Sequence, residues 1–77
     1  MNAVAVITGS ARNIGRATAL QLANRGFHIV LHTRSDEANL NQTIALVRQT
    51  GVLCEGVTGQ LDEQRTIDEL AKAVKAM

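Results

Sequence analysis

Three short apolar runs, rich in β-branched residues, alternate with three stretches of helical periodicity. This alternation constrains the fold more than any other feature of the chain. The first run, Ala3-Val4-Ala5-Val6-Ile7, is continuous and ends at Thr8-Gly9. Lacking polar alternation, it reads as a strand buried on both faces, the habit of parallel sheets. From Ile14 to Arg25 there is no Pro and, after Gly15, no Gly, while Ala17, Ala19, Leu20, Leu22 and Ala23 favour helix. Gly26 follows as a residue able to take the left-handed conformation that stops a helix. Phe27-His28-Ile29-Val30-Leu31 is the second strand. Ser35 or Asp36 can cap the next helix, whose apolar stripe is Leu40, Ile44 and Val47 and which Gly51 closes. Val52 to Thr58 is a third, weaker strand interrupted by Gly56. Asp62 is expected to cap a last helix with the stripe Ile67, Leu70, Ala71 and Val74, running almost to Met77.

The order β-α-β-α-β-α implies an α/β fold of parallel strands joined by right-handed crossovers, with helices on the sheet faces. The 77 residues are about half of one ordinary domain of roughly 150. Two domains are excluded, and a self-sufficient enzyme is not expected from so small a core. A net charge of +1 gives no basic face for nucleic acid. No apolar run approaches the roughly 20 residues of a membrane span. The single Cys54 excludes an intrachain disulfide and fits a reducing compartment. The start of the chain lacks the basic flank of a secretory signal, so a cytoplasmic protein is the expectation.

The chemistry-bearing segment is Thr8-Gly9-Ser10-Ala11-Arg12-Asn13-Ile14-Gly15-Arg16-Ala17, between the first strand and the first helix. A phosphate suits this place, because the helix start offers N–H groups and a positive dipole end. Gly9 permits the turn out of the strand, and Gly15 allows close approach of helix, strand or cofactor. A strand–helix turn that merely needs glycine is the plainer reading. The surrounding βαβ unit of about 30 residues favours the phosphate loop.

This segment resembles the cofactor loop of the short-chain dehydrogenases/reductases, Thr-Gly-x-x-x-Gly-x-Gly. The chain carries Thr8-Gly9 and Ile14-Gly15, with Asn13 in place of the middle glycine. The likeness continues through Arg16-Ala17, Arg25-Gly26 and Thr33-Arg34-Ser35-Asp36-Glu37, and covers essentially all 77 residues. It points to the reductase side of the family, such as 3-oxoacyl-carrier-protein and pteridine reductases. The resemblance implies a three-layer Rossmann-type sheet with strand order 3-2-1, residues 1–77 forming the N-terminal portion of its dinucleotide-binding domain. It also implies a nicotinamide cofactor, a small-molecule carbonyl substrate and a homo-oligomer. Cofactor contacts are implied for Gly9, Ser10, Arg12, Asn13, Ile14, Gly15, Thr33, Arg34, Gln60 and Leu61.

Two departures matter. Asn tolerates positive φ better than other non-glycine residues, so Asn13 is expected to keep the loop's shape while adding a side chain near the diphosphate. Gln60 stands where the family commonly has an Asp that meets the adenine amino group. Its carbonyl oxygen can accept the same hydrogen bond, or Gln60 is a solvated loop residue; Leu61 would offer an apolar contact and an N–H. At the end of the second strand a carboxylate selects NAD, whereas a nearby Arg accommodates the 2′-phosphate of NADP. Here Thr33 replaces the acid, Arg34 follows, and Arg12 matches a basic position of NADP-preferring relatives. The expected cofactor is therefore NADP, with Arg12 and Arg34 converging on one phosphate.

His28 and His32, four apart on one strand face, read as strand histidines with polar neighbours rather than metal ligands. Cys54 reads as a small core residue. The catalytic Ser and Tyr-x-x-x-Lys implied by the resemblance are missing, for the chain contains no Tyr. The sequence thus reads as the NADP-binding part of a longer oxidoreductase. The alternative is a complete nucleotide-binding or assembly module without catalysis of its own.

Overall fold

The computed structural model describes residues 3–77; Met1 and Asn2, part of the start that lacks the basic flank of a secretory signal, lie outside the described residues. The elements run β1 Val4–Ile7, α1 Asn13–Asn24, β2 His28–Thr33, α2 Glu37–Arg48, β3 Cys54–Thr58 and α3 Gln64–Lys75. Both strand pairs are parallel, Val4 opposite His28 and Ile29 opposite Cys54. The sheet order β1-β2-β3 has the same neighbours as the expected 3-2-1, read from the opposite edge.

β2 is central, and Ile29, Val30 and Leu31 are fully buried. Burying each such side chain is worth about 1.5–3 kcal/mol. Ile29 and Leu31 join Ala11, Ala19, Ala23, Leu40, Val47 and Cys54 in one core cluster beneath α1 and α2. Side chains alternate along a strand, so Val30 and His32 point to the other face, and α3 packs on β2 and β3.

Several expectations need correction. β1 is not buried on both faces: it is half-buried and Val6 is 46% exposed. The strand lies at the sheet edge, so nothing among the described residues pairs with its outer side. β2 extends to Thr33, because Thr33 pairs with Thr58 and its carbonyl accepts the N–H of Gly59, and β3 begins only at Cys54, opposite Ile29. Asp62 does not cap α3. The N-cap is Glu63, whose side chain makes no capping bond. The α3 stripe is only half covered, with Ile67 and Ala71 exposed. Asp36, as expected, caps α2 by accepting from the N–H of Asn39.

Candidate cofactor site

The loop from Thr8 to Arg12 leaves β1 and delivers the chain to the start of α1. Gly9 has φ 62° and Asn13 φ 57°, so Asn13 holds the left-handed backbone expected of it. Arg12 is the N-cap, with no side-chain capping bond, and the first turn of α1 carries no acid. The first N–H groups of a helix have no intrahelical acceptor. Here no side chain neutralises them, whereas α2 has Asp36 and Glu37 in that role. Gly15 is held tightly: a Cβ there would collide with the Gly9 carbonyl oxygen and lie 2.7 Å from Ser10 Cα. Ile14 is 83% exposed, an apolar side chain standing beside this uncapped helix start.

The loop is fixed from behind by two networks. Ser10 is fully buried. Its N–H donates to the His32 carbonyl at 2.9 Å, and its hydroxyl accepts from the His32 N–H at 2.9 Å. Ser10 therefore ties the loop to β2 through both its N–H and its hydroxyl. The second network is Arg16, which donates to Thr43 Oγ1 at 2.8 Å, the Ala11 carbonyl at 2.8 Å and the Asn39 carbonyl at 3.2 Å. Thr43, fully buried, donates to the same Ala11 carbonyl at 2.7 Å. Nothing local in the sequence announces this clamp, because Thr43 lies 27 residues from Arg16.

Beside the loop, at the carboxyl ends of the strands, lies a cleft of about 390 Å³ lined by Thr8, Gly9, His32, Arg34, Gly59, Gln60, Leu61 and Asp62. This is where ligands bind in open α/β sheets. The structure thus brings Gly9, Arg34, Gln60 and Leu61 together; Leu61 is 45% exposed there. Thr33 is buried, and its hydroxyl accepts the Asp36 N–H at 3.4 Å. Arg12 does not join Arg34 in the cleft lining. Its Nε lies 3.7 Å from Asp36 Oδ2.

His32 is 4% exposed, and its Nε2 lies 2.7 Å from the Gly59 carbonyl oxygen. A carbonyl only accepts, so Nε2 carries the proton and Nδ1 is left as a buried atom without a partner. Such an atom calls for a water or a ligand group. His28 Nδ1 accepts the Leu53 N–H at 3.0 Å. Among the described residues no three His, Cys, Asp or Glu side chains gather as a metal site. Burial pushes the Cys54 thiol up to about 11, so it stays protonated near neutral pH and is a poor nucleophile.

The open space beside Gly9, the uncapped start of α1 and the adjoining, largely apolar cleft fit an anionic dinucleotide: N–H groups for the diphosphate and an apolar wall for a ring. Residues 3–77 match the short chain dehydrogenase family. The chain belongs to that family. Among its relatives in the short-chain dehydrogenase family is the 3-oxoacyl-acyl-carrier-protein reductase FabG of Aggregatibacter actinomycetemcomitans, 45% identical over 66% of this chain and 21% of that protein. The crystal structure of acetoin dehydrogenase YohF from Salmonella typhimurium superposes with a TM-score of 0.87 at 33% identity, covering 97% of this chain and 33% of that one. A shorter relative, the short-chain dehydrogenase/reductase homolog YusS of Bacillus subtilis (strain 168), is 19% identical over 96% of this chain and 68% of its own length. The chain spans about a third or less of the first two. No helix of the described residues is long and apolar enough to cross a membrane.

Proposed function

We propose that this chain is the NADP(H)-binding segment of a short-chain oxidoreductase that moves hydride between NADPH and a small-molecule carbonyl compound. The observation that carries the cofactor choice is the end of β2. Thr33, buried and uncharged, stands where a carboxylate would repel a 2′-phosphate, and Arg34 opens into the cleft beside Gly9. The start of α1 receives the diphosphate on its N–H groups, with Ile14 and Gly15 bounding it. Gln60 and Leu61 line the adenine end, and the Gln60 carbonyl oxygen accepts from the adenine amino group. When bound, the nicotinamide supplies the hydride. The residues present here hold and orient the cofactor, and none of them is assigned to proton transfer, since the chain has no Tyr. A homo-oligomer in the cytoplasm is the setting that the family and the lone thiol favour.

Arg34→Ala is the test. In the protein expressed from its full open reading frame, NADP binding should weaken by about 1.5–3 kcal/mol, the range for a hydrogen bond to a charged group. NAD binding should change little. Calorimetric titration with each cofactor reads both, and equal losses would remove Arg34 from the 2′ site.

A second reading is a nucleotide-binding or assembly module that pairs with a partner chain. It is favoured by the short relative, of which this chain spans 68%. An open frame carrying Tyr-x-x-x-Lys downstream of Met77 supports the oxidoreductase; a stop codon there supports the module.

A further inference from the structure

The two arginines offered to the 2′-phosphate do not stand in equal environments. Among the described residues Arg34 makes no ion pair, whereas Arg12 faces Asp36, Nε to Oδ2, at 3.7 Å. Asp36 does not depend on Arg12 for its position. Asn39 holds it, donating from its N–H to Oδ1 at 3.4 Å and from its side-chain amide to Oδ1 at 3.1 Å and Oδ2 at 2.9 Å. These bonds, led by that of the Asn39 side chain, keep the carboxyl below its ordinary range, aided by Arg12 and Arg16. The carboxylate is thus anchored and ionised. Arg12 is the movable member, its side chain 66% exposed against 33% for Asp36.

We propose that Asp36 is a built-in counter-ion that limits this chain's preference for NADP, because an incoming 2′-phosphate must take Arg12 from it and sit near its charge. The inference rests on the NADP reading above and deepens it. Asp36 is a specificity-setting residue acting through Arg12, which makes it a positioning residue rather than a catalytic one. A carboxylate three residues beyond Thr33 restores, from α2, part of the negative field that Thr33 removes from the strand end. The result is a site that discriminates less sharply than its two arginines alone would make it.

The substitution that isolates the charge is Asp36→Asn, since Asn caps a helix as well as Asp does; Asp36→Ser is a second neutral cap. Both are made in the protein from its full open reading frame. Titrations use NADP and NAD, and also adenosine 2′,5′-bisphosphate and AMP, which probe the adenosine end alone. Both variants should bind NADP and the bisphosphate about three- to tenfold more tightly, the scale of removing one charge near a phosphate at an exposed surface. NAD and AMP should move by less than about twofold. The gain should shrink as salt is raised, and most of it should vanish in an Arg12→Ala background.

Equal changes for both cofactors would show Asp36 to be a structural cap only. A selective loss of NAD would show it to hold a ribose hydroxyl. Either result overturns the counter-ion, as does NADP affinity left unchanged. Failure of the underlying reading looks different: the unmodified protein would prefer NAD, and Arg34→Ala would treat the cofactors alike.

Discussion

Asn13 and Gly15 show how a single position can be dictated by backbone rather than by chemistry. Asn13 sits at φ 57°, where a β-branched side chain is strained. Asn13→Val should cost about 1–3 kcal/mol and weaken NADP binding, whereas Asn13→Gly should stay within about 1 kcal/mol and keep or improve affinity. Gly15→Ala should also distort the loop. Its new methyl meets the Gly9 carbonyl and Ser10 Cα, both backbone, which cannot rotate aside; overpacking of this kind costs about 1–3 kcal/mol. Urea midpoints and calorimetric titration check all three, and a valine variant binding as well as the parent would contradict the conformational account of Asn13. Both positions were legible in the sequence because their constraint is local. The pairing of the Ser10 hydroxyl with His32, 22 residues away, was not, because no spacing rule announces it. The pairing of Arg12 with Asp36 was not legible either, because it depends on how α2 docks beside the loop.

At the scale of elements, periodicity located all six, because three apolar runs and three helical stripes each had one consistent partner in the sheet. Helix starts were less legible, since several polar residues compete for one cap. For α2, Asp36 wins because its carboxylate reaches the Asn39 N–H. For α3, Asp62 precedes the true N-cap by one residue, and Glu63 at that cap has an extended backbone but no capping bond. A shorter acceptor should supply what glutamate does not. Glu63→Ser is expected to stabilise the protein by about 0.5–1 kcal/mol. Asp62→Ala, one residue outside the helix, should change stability by less than about 0.5 kcal/mol. Thermal melts of the two variants separate the assignments, and the reverse ranking would return the cap to Asp62.

The molecule as a whole is a three-stranded sheet with helices on both faces and with β1 and β3 as its two edges. β1 closes the sheet order, its outer side has no partner among the described residues, and Val6 is 46% exposed. The strand is apolar, uncharged and without Pro, which is the kind of edge that pairs with another chain. On the α3 side, Ile67 is also exposed, at 42%. A polypeptide of residues 1–77 should therefore self-associate through β1, and should not oxidise NADPH in the presence of a carbonyl compound. With no Trp or Tyr in the chain, mass is best read by light scattering with refractive-index detection, and packing by the dispersion of amide resonances. Val6→Lys places a charge on the exposed edge without touching the core, the device natural sheets use against edge pairing. It should shift the polypeptide toward monomer at unchanged helix content. A parent polypeptide that is already a monomer with dispersed amides would refute the edge argument, and measurable turnover would refute the view that these residues only hold the cofactor.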